Sequence, residues 1–91
     1  MKIQAQVSIC PLRTESLSGP IGEFCRILKE KGLKVQMRTM DSLIMGQLDI
    51  VFEALQQAFG QIAEKYNVVM DCKISNACPE ETEKEAKKEQ I

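Results

Sequence analysis

The segment RTMDSLIMG, residues 38 to 46, places two hydroxyl side chains, Thr39 and Ser42, around a predicted tight turn. A hydroxyl can both donate and accept hydrogen bonds, so this pair could orient a small bound molecule. The other residues of the segment are mostly apolar and favour burial. We interpret the segment as a hairpin that forms one wall of a ligand cleft.

The four cysteines, Cys10, Cys25, Cys72 and Cys78, are a second group with chemical potential. The chain has neither a CxxC pair nor a histidine, whereas zinc sites usually use close-spaced ligands of these types. Structural disulfides are rare in the cytosol. We therefore expect free thiols, no metal site and no cofactor. The alternative is a redox response of exposed Cys10 or Cys78, which would need a lowered thiol pKa.

Acid-base catalysis needs a histidine, or a pair of carboxylates in a cleft. The chain has no histidine, and Glu53 and Glu64 fall on the predicted solvated face of a helix. The sequence therefore favours a binding protein over an enzyme.

Length and charge limit the size of the fold and the class of its partners. The 91 residues suffice for one domain with a single core. Twelve basic and thirteen acidic residues give a net charge of -1, so we expect no nucleic-acid partner and no membrane partner. The N-terminal MKIQAQVSI alternates polar and apolar residues, unlike the apolar region of a signal peptide. We predict a cytoplasmic protein.

The first half of the chain predicts a strand followed by a helix. Residues 3–10 alternate apolar and polar side chains, as in a half-buried strand. After a loop rich in proline and hydroxyls, Ser18 can cap a helix whose apolar residues recur at helical spacing. Gly32 can adopt the left-handed conformation that ends this helix.

The second half predicts two strands, a long helix and a closing strand. Residues 34–40 and 42–46 read as extended segments joined by a short turn. Residues 48–66 carry an apolar stripe over nearly five helical turns, and we interpret Gly60 within it as a point of close packing. Residues 68–75 alternate again and predict the last strand.

The order strand, helix, strand, strand, helix, strand predicts an α+β domain of the ferredoxin-like βαββαβ type. Right-handed crossovers give a four-stranded antiparallel sheet with both helices on one face. We place this domain at residues 1–78 and a solvated, highly charged tail at 79–91. The open face of the sheet has no aromatic rings for the base stacking used by RNA-binding versions of the fold. It carries Gln4, Gln6, Ser8, Arg38, Asp71 and Lys73.

Three segments, QVSICPL, TMDSLIMGQLDIVFEAL and VVMDCKIS, resemble the small thiamine-binding proteins related to YkoF. The resemblance covers residues 3 to about 75. It implies binding, without turnover, of thiamine or its hydroxymethylpyrimidine half. It also implies a homodimer or homotetramer built by sheet packing. Two positions depart from the family pattern, because Ser42 stands where threonine is common and Met45 where an acid is common.

The chemistry of the ligand that the resemblance implies predicts a set of binding residues. A flat aminopyrimidine ring is best held in a mostly apolar slot by a few fixed polar groups. Hydroxyls would bond the ring edge, apolar side chains would cover its faces, and polar residues would reach it from strand ends. The predicted hydroxyls are those of Thr39 and Ser42, the predicted apolar side chains are Met40, Ile44 and Phe52, and the predicted polar residues at strand ends are Ser8 and Asn76.

Each of these residues, taken alone, also has a structural explanation. The hydroxyls suit turns, the apolar side chains suit a core, and Ser8 and Asn76 suit a solvated strand and a turn. The alternative function is accordingly a structural or regulatory oligomer that binds no small ligand.

Overall fold

The computed structural model describes residues 1–15 and 18–77. They form β1 (Lys2–Leu12), α1 (Ser18–Glu30), β2 (Lys34–Met37), β3 (Ser42–Gln47), α2 (Leu48–Lys65) and β4 (Asn67–Ser75). This order of elements confirms the predicted α+β, ferredoxin-like fold. The predicted tail at residues 79–91, and Cys78, lie outside the described residues.

The four strands form one antiparallel sheet in the order β2-β3-β1-β4. β1 lies in the interior, so Ala5 has Ile44 of β3 on one side and Ile74 of β4 on the other. Successive strand residues point to opposite faces. The odd-numbered residues of β1 therefore face the helices, while its even-numbered residues belong to the open face. β2 and β4 are the two edge strands.

The hydrophobic core lies between the sheet and the two helices. α1 contributes Phe24 and Leu28, and β1 contributes Ile3, Ala5 and Val7, all of them buried. Helical spacing on α1 and alternation on β1 give each element one apolar side. Burial of these sides is the dominant favourable term in folding.

α1 ends where the sequence predicts it to end. Gly32 has a φ of 85°, in the left-handed region that glycine adopts without steric cost. The Gly32 N–H donates to the carbonyl of Lys29 at 2.9 Å, so the end of the helix is hydrogen-bonded.

α2 is rotated relative to the face expected from its largest side chains. Ala54 and Ala58 are fully buried, whereas Phe52 is 51 % exposed and Leu48 is 38 % exposed. Small side chains allow a helix backbone to lie close to its neighbours. With the two alanines at the centre of the buried face, Phe52 and Leu48 lie at its exposed edge. Among the described residues, neither helix combines the length and the apolar character needed to cross a bilayer.

Close backbone packing occurs at Gly46 and not at Gly60. A Cβ atom added at Gly60 would have no neighbouring atom within 4 Å, so the predicted close packing there is wrong. A Cβ atom at Gly46 would collide with Cδ2 of Leu33 and lie 3.5 Å from Cγ2 of Val51. β3 therefore approaches the core most closely at the residue that lacks a side chain.

Gly46→Ala is expected to lower the free energy of unfolding by about 1–3 kcal/mol, the usual cost of overpacking. The cost arises because Leu33, which is only 6 % exposed, has to move. Urea denaturation measures the change. Gly60→Ala is the matched control, and it should raise the free energy of unfolding by up to about 1 kcal/mol, since alanine is the better helix former. Equal losses in both variants would contradict the packing at Gly46.

Candidate functional site

The hairpin between β2 and β3 is fixed by a cluster of polar contacts. The backbone N–H of Arg38 donates to the carbonyl of Asp41 at 2.8 Å, which leaves Thr39 and Met40 as the hairpin tip. The Arg38 guanidinium donates to both carboxylate oxygens of Asp41, at 2.6 Å and 2.7 Å. Gln6 of β1 donates its amide to Asp41 at 2.6 Å. The hairpin is therefore attached to the central strand.

These contacts determine the charge of the cluster. Hydrogen bonds from Arg38 and then from Gln6 lower the pKa of Asp41 below its usual value. The hydrogen bond to Asp41 raises the pKa of Arg38. Because both groups favour their charged forms, Asp41 is an anion at neutral pH and accepts hydrogen bonds only.

A pocket of ≈ 470 Å³ lies on the open face of the sheet beside the hairpin tip, and we call it the open-face pocket. Its volume falls within the range of about 300–1,000 Å³ that is typical of small-molecule sites. The lining combines two carboxylates, an ammonium group, an amide, a hydroxyl and a thioether. These groups belong to Asp41 and Asp71, Lys73, Gln6, Ser8 and Met40, and Cys72 completes the lining.

Strand register brings the lining of the open-face pocket together. Ser8 of β1 lies opposite Asp71 of β4, and Gln6 lies opposite Lys73. Cross-strand neighbours have their Cβ atoms about 4.5–5.5 Å apart, so these four side chains form a continuous polar floor. No side chain in residues 1–15 and 18–77 makes a hydrogen bond or ion pair with Asp71 or Lys73. Within this part of the chain, the charges of Asp71 and Lys73 are therefore not used by the fold itself.

A second pocket lies on the other side of the hairpin, between the hairpin, α1 and the sheet, and we call it the helix-side pocket. Its volume is ≈ 80 Å³, which is room for a few waters but below the usual size of a ligand site. Its polar lining includes Ser42, which is 6 % exposed. The Ser42 Oγ lies 3.5 Å from the Sγ of Cys25. The Ser42 hydroxyl therefore already has a hydrogen-bond partner within the protein, the thiol of Cys25.

The sequence-predicted site residues are distributed over several places. Ser8 and Met40 line the open-face pocket, and Thr39, Met40 and Ser42 line the helix-side pocket. Ile44 is fully buried in the core. Phe52 lines a third groove, between α2 and β4, and Asn76 is exposed just beyond the end of β4. Met40 is the one predicted residue shared by the two pockets at the hairpin, and the ligand role of the whole set stays a prediction.

Five lining residues were not among the predicted site residues: Gln6, Asp41, Asp71, Cys72 and Lys73. Strand alternation had already placed Gln6, Asp71 and Lys73 on the open face. The missing information was the register, which puts residues distant in the chain side by side. The sequence predicts Asp41 only as a turn residue. No sequence pattern indicates its hydrogen bond with Gln6 of β1.

The three described cysteines, Cys10, Cys25 and Cys72, are free thiols. Cys10 lies opposite Val69, and Cys72 lies opposite Val7. The two exposed thiols therefore project from opposite faces of the sheet and cannot bridge to each other.

Comparisons with known proteins give a family and several structural relatives. The family described as "Thiamine-binding protein" matches residues 5–91. A hypothetical protein from Methanocaldococcus jannascii has a TM-score of 0.81 at 29 % identity, covering 99 % of this chain and 95 % of its own. No curated protein matches the chain.

Two more distant structures share the fold. A protein from Thermotoga maritima, described provisionally as a thiamine biosynthesis/salvage protein, has a TM-score of 0.80 at 14 % identity, covering 97 % of this chain and 99 % of its own. A protein from Streptococcus pneumoniae has a TM-score of 0.77 at 17 % identity, covering 93 % and 99 %.

Proposed function

Because the chain belongs to the thiamine-binding protein family, we propose that it binds thiamine or its hydroxymethylpyrimidine half, without turnover, as a cytoplasmic homo-oligomer. Membership of this family is the observation that supports the proposed class of ligand. The open-face pocket supports it, since its volume of ≈ 470 Å³ suits a molecule of this size.

The chemistry of the open-face pocket matches the two halves of thiamine. An aminopyrimidine edge offers an amino donor beside ring-nitrogen acceptors, and the pocket offers carboxylate acceptors beside the donors of Gln6 and Lys73. The thiazolium half is a cation, which Asp71 can attract. Met45 of β3 stands where an acidic residue is common in the family. Asp71 of β4 would supply the negative charge that this position lacks.

Binding without catalysis is supported by the groups that surround the open-face pocket. Asp41 is held as an anion by Arg38 and Gln6, and a carboxylate with a lowered pKa is a weak base. Lys73, at the edge of the sheet, offers a charge for recognition. We therefore assign these groups to ligand recognition and not to proton transfer.

Thiamine and hydroxymethylpyrimidine are expected to raise the melting temperature of ligand-free protein. Ligand at 100 times its dissociation constant adds about 2.7 kcal/mol to the stability of the folded state. For a domain of this size, that energy corresponds to a shift of roughly 10–20 °C. Differential scanning fluorimetry measures the shift, and isothermal titration gives the affinity and stoichiometry.

Two control molecules test the specificity of this shift. Choline carries a cation without an aminopyrimidine and should leave the melting temperature unchanged. Cytosine offers an aminopyrimidine edge without the thiazolium and should bind more weakly than thiamine. The proposal is refuted if neither thiamine nor hydroxymethylpyrimidine shifts the melting temperature at millimolar concentration.

A structural or regulatory oligomer without a small ligand is the second candidate function. Leu43 and Met45 of β3 are half-buried on the open face, and apolar side chains there favour packing of two sheets face to face. This candidate predicts oligomers by light scattering together with no response to either ligand. A monomer would count against it.

A further inference from the structure

A further pocket on the open face of the sheet has a basic lining, and we call it the basic pocket. Its volume is ≈ 320 Å³. Two cationic side chains, three polar ones and a leucine line it: Arg38 and Lys73; Gln4, Gln6 and Ser75; and Leu43. No carboxylate from residues 1–15 and 18–77 belongs to this lining. The basic pocket is therefore suited to an anion.

The strand register places the basic pocket directly beside the open-face pocket. Gln6 of β1 lies opposite Lys73 of β4, and both side chains line both pockets. On one side of this pair, Asp71 lines the open-face pocket. On the other side, Ser75 lines the basic pocket. A ligand that lies across the Gln6–Lys73 pair therefore reaches both pockets.

The two pockets differ in charge. The carboxylates of Asp41 and Asp71 line only the open-face pocket, whereas the guanidinium of Arg38 lines only the basic pocket. Asp71 and Lys73 are two residues apart on the same face of β4, which is about 6.5 Å along the strand. The ligand that matches this arrangement carries a cationic group and an anionic group separated by a few bonds.

Both cations of the basic pocket have hydrogen-bond donors that the described fold does not use. The Arg38 guanidinium donates to Asp41 through Nε and Nη2, and its Nη1 has no partner within residues 1–15 and 18–77. The Lys73 ammonium likewise makes no hydrogen bond or ion pair within those residues. Arginine and lysine are the usual side chains for the recognition of phosphate oxygens. The donors thus favour a phosphate group as the anion.

A phosphate ester of thiamine has the required distribution of charge. Its thiazolium ring is a cation, and the phosphate is attached to the same ring through a short hydroxyethyl chain. We propose that the chain binds thiamine as its phosphate ester, with the thiazolium beside Asp71 in the open-face pocket and the phosphate between Lys73 and Arg38 in the basic pocket. This inference rests on the proposed function and specifies the chemical form of its ligand.

Thiamine monophosphate and thiamine, compared by isothermal titration into ligand-free protein, test the basic pocket. We expect the monophosphate to bind roughly ten-fold tighter or more, since hydrogen bonds between charged groups are about twice as strong as neutral ones. Raising the ionic strength should reduce this preference, because salt screens exposed charges. The affinity for thiamine itself tests the proposed function separately.

Three variants assign the preference to particular charges. Lys73→Gln removes the ammonium and should reduce the preference for the monophosphate to about three-fold or less. Asp71→Asn removes the acid beside the thiazolium, so it should weaken both ligands by a similar factor and leave the preference intact. Lys29→Gln is the matched control, because Lys29 is exposed on α1, on the helix side of the sheet. It should change neither affinity.

Hydroxymethylpyrimidine phosphate tests which half of the ligand carries the phosphate. If it binds more tightly than hydroxymethylpyrimidine while thiamine monophosphate gains nothing over thiamine, the proposed orientation is wrong.

Two further results would overturn this inference while the proposed function stands. One is equal affinity for thiamine and thiamine monophosphate. The other is a preference for the monophosphate that Lys73→Gln leaves unchanged, which would place the phosphate outside the basic pocket. If thiamine, hydroxymethylpyrimidine and their phosphates all fail to bind, the proposed function is refuted together with this inference.

Discussion

Phe24→Ala is expected to lower the free energy of unfolding by about 3–5 kcal/mol, the usual cost of emptying a buried aromatic site. Phe24 is 1 % exposed and is one of the largest fully buried side chains of the domain. Since small domains are stable by about 5–15 kcal/mol in total, this one change removes a large share. Urea denaturation should show a lower midpoint at an unchanged slope.

Phe52→Ala is the matched control, because it removes the same side chain from a position that is 51 % exposed. Both variants are compared at one low protein concentration without ligand, so that association and binding do not contribute to the difference in stability. We expect a loss of about 1 kcal/mol or less at Phe52, as for most surface substitutions. If Phe52→Ala costs as much as Phe24→Ala, the orientation of α2 is wrong.

Periodicity predicted the elements of this fold because each has one dominant apolar side. β1 and β4 alternate, α1 repeats its apolar residues at helical spacing, and Gly32 gives α1 a defined end. α2 was predicted less well. Its apolar side chains extend further around the helix than its buried face, and the sequence gives no measure of how closely Ala54 and Ala58 approach their neighbours. The packing of α2 against its neighbours thus determines which of its apolar residues remain exposed.

The candidate site was harder to predict from the sequence than the fold. Thr39 and Ser42 are close in the chain, yet the hairpin leaves Thr39 exposed and Ser42 buried beside Cys25. Ser8 and Asp71 are distant in the chain, yet the β1–β4 register makes them neighbours. A shift of one residue in that register would turn every β4 side chain to the opposite face. Alternation gives the face of a residue, whereas the pairing of strands gives its neighbours.

Ser8→Leu is expected to reduce by about half or more the thermal shift that thiamine produces at 100 times its wild-type dissociation constant. Ser8 lies on the floor of the open-face pocket, and a leucine there would occupy the space that the ligand needs. A steric conflict of about 1–3 kcal/mol weakens binding roughly ten- to one-hundred-fold. Isothermal titration measures the affinity. The melting temperature without ligand should change little, since the side chain points to the open face and not into the core.

Cys10→Leu separates this effect from a general disturbance of the sheet. Cys10 lies two residues along β1 on the same face, and its side chain is exposed, but it does not line the open-face pocket. The Cys10→Leu variant should therefore respond to thiamine as the wild type does. If Ser8→Leu binds thiamine as tightly as the wild type does, the open-face pocket is not the thiamine-binding site. Loss of binding in Ser42→Ala would then assign the ligand to the helix-side pocket, which would have to widen to admit it.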